Sequence, residues 1–222
     1  MKKSPASHFL PCALIAASCS LTPVTAGEPM NTPEPEKPDV ELVKTYTQET
    51  PAMRFIGKKY RDEDRVNGSF GVQWDEWHKN DWFKKLDAVC KAPDLEDGDA
   101  AIGLMRYKNG EAFEYWVGKF FAENTVVPEG FEHTDFPAST LGIGWLRGKE
   151  GALFMKENWV ADALAKDGKR IATDEQNATW FFERYVGGRF AKPDDAGKQT
   201  LDIGFFVKKE VPRVEVDAGI KW

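Results

Sequence analysis

FEHTDFPASTLGIGWL (residues 131–146) consists of two strand-like segments that meet at Pro137. Proline lacks the N–H that a β-ladder needs, so it favours a break between two strands. Residues 42–60 have the same organisation around Pro51, and Pro51-Ala52 and Pro137-Ala138 lie 86 residues apart. A pattern that recurs at a fixed offset indicates a duplicated structural unit. We therefore expect two copies of one unit in this chain.

The same order of elements follows each broken strand: one helix and then two more strands. Asn109-Gly110 lies between two aromatic-rich runs and is a strong signal for a hairpin turn. Asp167-Gly168 is typical of a helix C-terminus. The pattern predicts helices at 73–90 and 151–166 and strands at 42–47, 53–60, 101–107, 113–121, 131–136, 139–146, 180–186 and 200–208.

Two such units bury their apolar faces best when their strands join in one sheet. We predict an α+β fold of duplicated strand-helix-strand-strand units, at about 42–123 and 131–209, related by a pseudo-twofold axis. The sheet should be antiparallel, with two helices packed on one face. Tyr107 and Tyr185 each end the middle strand of their unit, so we expect them at symmetry-related positions. A ligand cleft is expected along the axis.

Composition narrows the class of protein. The chain has 222 residues, 41% of them apolar and 13% aromatic, which excludes disorder of the whole chain. Its net charge of −6 argues against nucleic acid and anionic lipid as partners, because both need a basic surface. No apolar run reaches the ~18 residues that a membrane span needs. Composition therefore indicates an acidic, aromatic-rich, soluble globular protein.

The first residues are typical of an export signal. Lys2 and Lys3 precede a short apolar segment, and small residues lead to Ala26. Cleavage after Ala26 would release a periplasmic protein. Alternatively, residues 15–19 resemble a bacterial lipobox, and lipidation of Cys19 would anchor the exported protein to a membrane. The predicted boundaries are 1–26 for the signal peptide, 27–41 for a Pro-rich linker, 42–209 for the folded domain and 210–222 for a C-terminal tail.

Residues 180–185, WFFERY, form the most aromatic stretch of the chain. By strand alternation, Glu183 shares one face with Phe181 and Tyr185. A carboxylate among rings can pair with a ligand cation that also lies on the aromatic faces. If desolvation raises its pKa, it can instead act as a general acid or base. The structural alternative is a salt bridge between Glu183 and Arg184 or Arg189.

Other aromatic residues are candidates for the same pocket. They are Tyr107, Tyr115, Trp116, Trp145 and Trp180. Aromatic residues in strands belong to the core more often than to a binding site, so each alone is a weak candidate. Three tryptophans on the first predicted helix are instead expected to form its packing face: Trp74, Trp77 and Trp82.

The residues that bind metals are sparse after the signal segment. The two histidines after residue 26 are His78 and His133, and neither belongs to a motif with metal-ligand spacing. Cys90 is the one cysteine after Cys19, so no Cys-x-x-Cys pair is present. We therefore expect no metal and no cofactor.

Four motifs occur in order along the chain: FEYWVG at 113–118, VPEGFE at 127–132, Pro137-Ala138, and FERY at 182–185. In order and spacing they resemble the GyrI-like small-molecule-binding family, also called the effector-binding domain of multidrug-sensing regulators. The resemblance covers about residues 42–209. It implies the duplicated fold expected above.

The resemblance also implies a site. Family members bind cationic, lipophilic or planar compounds in an aromatic pocket with a central carboxylate, which on the matching motif is Glu183, with Tyr185 beside it. Many members carry a helix-turn-helix DNA-binding region, whereas the residues before 42 here indicate only a signal and a linker, so no transcriptional role is expected. Some stand-alone members resemble hydrolases of cyclopropane-containing compounds, using a Glu in the same pocket.

Two function classes follow. The first is an exported binding protein for a lipophilic, aromatic or cationic compound, and the second is a hydrolase that uses Glu183 as the catalytic group. A purely structural domain would be favoured if the cleft were filled by its own side chains. The sequence leaves open the ligand, the choice between binding and catalysis, and the oligomeric state.

Overall fold

The computed structural model describes residues 39–208. The predicted signal peptide, its alternative lipidation site Cys19, most of the linker and the predicted tail at 210–222 lie outside the described residues. The first strand begins at Val40, so the last two residues predicted as linker belong to the folded domain.

Eight strands and four helices form the described part of the chain. The strands are β1 (Val40–Thr50), β2 (Met53–Arg61), β3 (Ala101–Tyr107), β4 (Glu114–Ala122), β5 (Glu132–Phe136), β6 (Ser139–Gly148), β7 (Thr179–Tyr185) and β8 (Gln199–Val207). The helices are α1 (Gly71–Lys79), α2 (Trp82–Val89), α3 (Glu150–Leu153) and α4 (Glu157–Lys166). All eight predicted strands are confirmed, and Pro51 and Pro137 stand at the breaks between paired strands, as expected.

The eight strands form one antiparallel sheet in the order β1-β6-β8-β7-β3-β4-β2-β5. If β1 to β4 are exchanged with β5 to β8, strand for strand, the same order is obtained when it is read from the opposite edge of the sheet. This internal symmetry confirms the duplicated α+β fold. The two units are interlocked, because β1 of the first unit pairs with β6 of the second and β5 of the second pairs with β2 of the first.

The strand registers locate the pseudo-twofold axis. The pair Arg54 and Phe121 corresponds to Thr140 and Val207, an offset of 86 residues on both strands. In β3 and β7 the offset is 80, because Ile102 pairs with Gly118 as Phe182 pairs with Gly204. With that offset, the cross-strand pair of Gly103 and Glu183 maps onto itself. The axis therefore passes through this pair.

The expected equivalence of Tyr107 and Tyr185 is wrong. The offset of 80 makes Met105 the counterpart of Tyr185, and Tyr107 corresponds to Gly187, beyond the end of β7. The second unit uses six fewer residues between its second strand and its third than the first unit does, as the fall from 86 to 80 shows. The Pro-Ala offset therefore cannot be carried forward to the tyrosines.

Each of the two predicted continuous helices is divided into two. Asp81 has φ 52° between α1 and α2, and Met155 has φ 60° between α3 and α4. The left-handed region is accessible to a short polar residue such as aspartate, but it is rare for methionine. The break at Met155 has no signal in the sequence. No helix within residues 39–208 is long and apolar enough to cross a membrane.

The helices pack on one face of the sheet, as predicted. Trp77 and Leu86 from α1 and α2 join the same core as Val160 and Leu164 from α4. Helix α4 approaches β6 closely, since a Cβ on Gly144 would lie 2.6 Å from the Val160 side chain. A second core fills the opposite, concave face, where Phe136 and Phe206 stack at 4.7 Å although their strands are not neighbours in the sheet.

Candidate functional site

A cavity of about 670 Å³ opens on the helix-bearing face of the sheet. Its floor comes from β3, β4 and β7, and its walls come from α1, from α3 and α4, and from the segment that precedes α1. This volume lies within the ~300–1,000 Å³ that holds a drug-sized ligand. The cleft is therefore open and not filled by its own side chains.

Glu183 lies on the cavity floor, at the pseudo-twofold axis. Its partner across the strand pair is Gly103, and a Cβ there would lie 2.5 Å from the Tyr115 hydroxyl and 3.3 Å from Oε2 of Glu183. The missing side chain at Gly103 therefore makes the space in which the Tyr115 hydroxyl approaches the carboxylate.

Two tyrosine hydroxyls hold the carboxylate of Glu183. Tyr185 donates to Oε2 at 2.7 Å, and Tyr115 makes a longer and weaker contact with the same oxygen at 3.5 Å. The indole Nε1 of Trp74 donates in turn to the Tyr115 hydroxyl at 2.9 Å. No hydrogen bond from another described residue reaches Oε1 of Glu183.

Burial raises the pKa of Glu183 to about 7, and the nearby Glu157 carboxylate adds to the shift. The hydrogen bonds from Tyr185 and Tyr115 oppose it, because they favour the ionised form. Burial and the Glu183 charge also raise the pKa values of Tyr115 and Tyr185 well above their usual range. Both tyrosines therefore stay neutral donors at physiological pH, while Glu183 titrates near it.

Aromatic rings form most of the surface around Glu183. Phe70 stacks on Tyr115 with ring centroids 4.1 Å apart. Trp74 and Phe190 contact Tyr185 at 4.6 and 4.7 Å, each with its ring steeply inclined to that of Tyr185. Rings held against one another in this way present rigid faces and edges to a ligand.

The charges of the cavity are mainly negative. Asp75, Glu150 and Glu157 line it together with Glu183. The one arginine of the lining, Arg65, is bound to Asp62 at 2.9 Å, and its guanidinium lies over the Phe70 ring at 4.4 Å. A ligand that enters this cavity therefore meets aromatic faces and uncompensated carboxylates, a combination that favours a cation.

The predicted salt-bridge alternative for Glu183 is contradicted. Arg184 and Arg189 both donate to Asp202, with Nε to Oδ distances of 2.9 Å, and Arg189 also binds Asp97 at 2.7 Å. Arg184 and Asp202 are buried on the face of the sheet opposite the cavity. Among the residues that the structure describes, no lysine or arginine forms an ion pair with Glu183.

Four of the predicted site residues line the cavity: Glu183, Tyr185, Tyr115 and Phe181. The other four do not. Tyr107 is 54% exposed at the end of β3, where it pairs with Thr179. Trp116, Trp145 and Trp180 belong to the core on the opposite face. Strand alternation explains two of these. Tyr115 and Phe181 face the cavity, so the residues next to them in the strands, Trp116 and Trp180, face the opposite side of the sheet.

The sequence interpretation missed Trp74, which was assigned to the packing face of its helix. Trp77 is the residue that packs there, with no exposed surface, whereas Trp74 is partly exposed and lines the cavity. Further apolar lining that was missed consists of Phe70, Met105, Phe113, Phe154, Met155 and Phe190. Most of these lie in loops or helix links, where no periodicity indicates which way a side chain points.

His78 lies at the cavity wall, and its ring is 5.5 Å from that of Phe83. Within residues 39–208, no group of three or more histidine, cysteine, aspartate or glutamate side chains is arranged to hold a metal ion. The chemistry available at this site is therefore that of a carboxylate, two phenols and aromatic surfaces.

No family model matches the sequence, and no curated protein is significantly similar to it. Solved structures are similar in fold. SAV2435 bound to tetraphenylphosphonium is 14% identical with a TM-score of 0.51, over 74% of this chain and 94% of that one. A proposed bacterial transcription regulation protein from Staphylococcus aureus MU50 is 14% identical with a TM-score of 0.50, over 75% and 99%. These neighbours show the fold, which is consistent with the GyrI-like fold that the sequence motifs resemble.

Proposed function

We propose that this protein is a GyrI-like small-molecule-binding protein that takes a lipophilic, aromatic cation in its cavity, with Glu183 as the central counter-ion. One observation carries the proposal. Glu183 lies on the floor of an aromatic cavity, and no described lysine or arginine neutralises it. Buried charges in proteins are usually paired, so the missing partner is expected to come from the ligand.

The energies favour a cation with aromatic groups. Each contact between a cation and an aromatic face contributes about 0.5–2 kcal/mol, with the larger values at desolvated sites. Trp74 and Tyr185 line the cavity beside the carboxylate and supply aromatic surface for such contacts. Glu157 and Glu150 add negative charge to the same cavity, so a cation gains from both the rings and the field.

The structural neighbour supports the ligand class. SAV2435 is bound to tetraphenylphosphonium, a lipophilic cation built of aromatic rings. The same compound is therefore a suitable first probe for this chain. Its charge is permanent, so any dependence of its binding on pH arises from the protein.

Titration of the purified protein with tetraphenylphosphonium, followed by calorimetry, tests the proposal. Glu183→Gln keeps the shape of the side chain and removes its charge. At pH 8 it should weaken binding about ten- to a hundredfold, because two charges ~6 Å apart at an effective dielectric constant of about 20 attract by roughly 2–3 kcal/mol. Glu132→Gln is the matched control, because it removes the same charge from an exposed position on the edge strand β5. Equal affinities of wild type and Glu183→Gln would refute the proposed role of Glu183.

A second function is favoured by a separate observation, the pKa of Glu183 near 7. A carboxyl group with that pKa can exchange a proton at physiological pH, as a general acid or base must. In this alternative the protein hydrolyses a reactive small molecule, such as a cyclopropane-containing compound, and Glu183 activates water or protonates the leaving group. Multiple turnovers with recovery of unmodified protein would favour hydrolysis, whereas stoichiometric binding without product would favour the first proposal.

We also propose that the protein acts outside the cytoplasm, on the basis of Lys2, Lys3 and the small residues before Ala26. Mass spectrometry of protein purified from its native cells tests this. A chain that begins at Gly27 supports cleavage and release, and a diacylglycerol-modified Cys19 supports export with a lipid anchor. A cytosolic chain with an intact N-terminal segment would contradict export.

A further inference from the structure

The two oxygens of the Glu183 carboxylate have different surroundings. Both tyrosine hydroxyls contact Oε2, at 2.7 Å from Tyr185 and 3.5 Å from Tyr115, and no donor from residues 39–208 is bonded to Oε1. Two buried side-chain polar atoms in this part of the chain lack a partner, Gln73 Oε1 and Trp145 Nε1. The Glu183 side chain is partly exposed and lines the cavity, so we take Oε1 as the carboxylate oxygen that is open to a ligand.

The directions of the two tyrosine protons follow from their partners. An indole N–H can only donate, so the Tyr115 oxygen accepts from Trp74 and its own proton is free to point at Oε2. The Tyr185 hydroxyl donates to the same oxygen. Both phenolic protons are therefore committed to the protein. What this end of the cavity offers to a ligand is the acceptor Oε1.

We infer that the cavity selects cations that carry an N–H group, such as protonated amines and amidines, over permanently alkylated cations of the same size. The inference rests on the proposed function and specifies its ligand class. A ligand that fills the cavity displaces water from Oε1, and an acceptor left without a donor then costs free energy. A ligand N–H directed at Oε1 restores that bond, and such bonds between charged groups are about twice as strong as neutral ones.

A quaternary cation cannot make this bond. Its positive charge is surrounded by alkyl or aryl groups, so it reaches Glu183 through charge attraction and ring contacts alone. The aromatic walls accommodate both kinds of cation, because ring contacts do not require an N–H. The discrimination should therefore arise at Oε1 and not at Phe70, Trp74 or Tyr185.

A pair of matched ligands tests the inference. The tricyclic tertiary amine imipramine and its N-methyl quaternary salt carry the same charge and rings but differ in the N–H. Calorimetric titrations at pH 8, where the amine is protonated and Glu183 is mostly ionised, should give an affinity about tenfold or more higher for the amine. In Glu183→Gln this ratio should fall to about two or less.

Glu157→Gln is the matched control variant. It removes one carboxylate charge from the same cavity but leaves the Glu183 carboxylate and its tyrosine contacts in place. Both ligands should lose affinity by a similar factor, so the ratio between them should persist. A ratio that collapses equally in both variants would show that general negative charge, and not Oε1, makes the selection, and it would overturn the inference.

The remaining outcomes separate this inference from the proposal on which it rests. Equal affinities of wild type for the two ligands, both reduced by Glu183→Gln, would refute N–H selection and leave cation binding intact. Binding of neither imipramine nor its quaternary salt, together with no binding of tetraphenylphosphonium, would refute the proposed function and this inference with it.

Discussion

Two carboxylates lie almost side by side in the sheet, and they have opposite surroundings. Glu183 and Arg184 are neighbours on β7, and Arg184 pairs across the sheet with Asp202 on β8. Glu183 points to the cavity on the helix face, and Asp202 points to the core on the other face. Asp202 has no exposed surface and accepts hydrogen bonds from Arg184 and Arg189. Glu183 receives only two phenolic hydroxyls on one oxygen.

The difference teaches which of the two groups is available to a ligand. The charge of Asp202 is compensated within the chain, and Asp97 extends the same ion cluster by pairing with Arg189. Burial raises the pKa of Glu183 to about 7, because the two neutral hydroxyls that donate to it offset only part of the cost of burying its charge. Removing one partner from a compensated buried ion pair destabilises the fold, whereas a partly compensated carboxylate in a cavity has an oxygen left for binding.

The ion cluster is also a departure from the internal symmetry. By the strand registers, the counterparts of Asp202 and Arg184 in the first unit are Trp116 and Leu104, which are buried apolar residues. The second unit therefore holds buried charges at positions where the first unit holds an apolar core. Glu183, Arg184 and Asp202 all lie on β7 and β8 of the second unit, with Glu183 on the cavity face and the other two on the opposite face.

The largest effect is expected from breaking the ion cluster. Asp202→Asn leaves Arg184 and Arg189 buried with one carboxylate fewer, and losing one partner of a buried pair costs about 3–5 kcal/mol of unfolding free energy. Asp135→Asn is the control, because it breaks the pair with Arg54 at a position whose side chain is 55% exposed, where about 0–1 kcal/mol is expected. Denaturant unfolding of both variants measures the contrast. A similar loss in the two variants would contradict the assignment of Asp202 as a compensated structural charge.

The second prediction concerns cation affinity as a function of pH. Binding of tetraphenylphosphonium favours the ionised form of Glu183, so affinity should be constant well above pH 7 and fall below it. With a pKa of about 7 the affinity should fall between about pH 8 and pH 5 and then level off near that of Glu183→Gln, about ten- to a hundredfold below its high-pH value. Glu183→Gln should remove this dependence.

Other titratable groups face the same cavity and need a control. Asp75 and His78 from α1, Glu150 from α3 and Glu157 from α4 all line it. A His78→Gln variant that retains the pH dependence excludes the histidine, and the loss of the dependence in Glu183→Gln, but not in the Glu150→Gln, Glu157→Gln or Asp75→Asn variants, assigns it to Glu183. A profile that becomes flat in His78→Gln would assign the titration to the histidine and contradict the prediction.

The third prediction is that Glu183→Gln stabilises the folded protein at pH 8, whereas replacing a buried polar group usually destabilises a protein. The pKa of Glu183 rises from 4.5 to about 7 on folding, so the folded state binds its proton more tightly than the unfolded state does. Its contribution to stability is therefore fully present below pH 4.5 and is lost as pH rises through 7. At pH 8, Glu183→Gln should be more stable than wild type by about 1–3 kcal/mol, a range reduced for the partial exposure of the side chain to the cavity.

At pH 4.5 the stability advantage of Glu183→Gln should vanish, because both side chains are then neutral. Denaturant unfolding at the two pH values, without ligand, measures the difference. A Glu183→Gln protein that is less stable than wild type at pH 8 would show that the carboxylate is a structural group, in the way that Asp202 is.

The sequence predicted the frame of the fold well, because its signals are local. Pro51 and Pro137 break the strands, and Asn109-Gly110 turns the hairpin. The breaks at Asp81 and Met155 were not predicted, since helical periodicity continues across them and only tertiary packing selects a left-handed residue. The counterpart of Tyr185 was also missed, because strand register depends on pairing partners that are distant in sequence.

The candidate site could be predicted where alternation applies and not elsewhere. Glu183 and Tyr185 share a strand face by simple alternation, and the structure places both in the cavity. Tyr115 and Trp116 are adjacent, so only one of them can point to it, and the sequence does not reveal which. Trp74 was missed because helical spacing predicts which face of α1 is apolar but not where the packed part of that face ends. Trp74 lies at the boundary between the packed face and the cavity.

The smallest effect is expected from the tyrosines that hold Glu183, and it tests whether neutral donors are what distinguishes this carboxylate from Asp202. Tyr185→Phe removes the 2.7 Å hydrogen bond to Oε2, which favours the ionised form, so the pKa of Glu183 should rise further, by about one unit. Tyr115→Phe removes the longer contact to Glu183, at 3.5 Å, together with the acceptor of the Trp74 indole N–H, so its effect on the pKa of Glu183 should be smaller. Carbon-13 NMR titration of the Glu183 carboxyl group measures both shifts. Shifts of equal size, or a larger one in Tyr115→Phe, would contradict the unequal roles that the two distances assign. A fall in the pKa in Tyr185→Phe would show that the hydroxyl does not stabilise the charge, and that burial and Glu157 alone set the titration of the site.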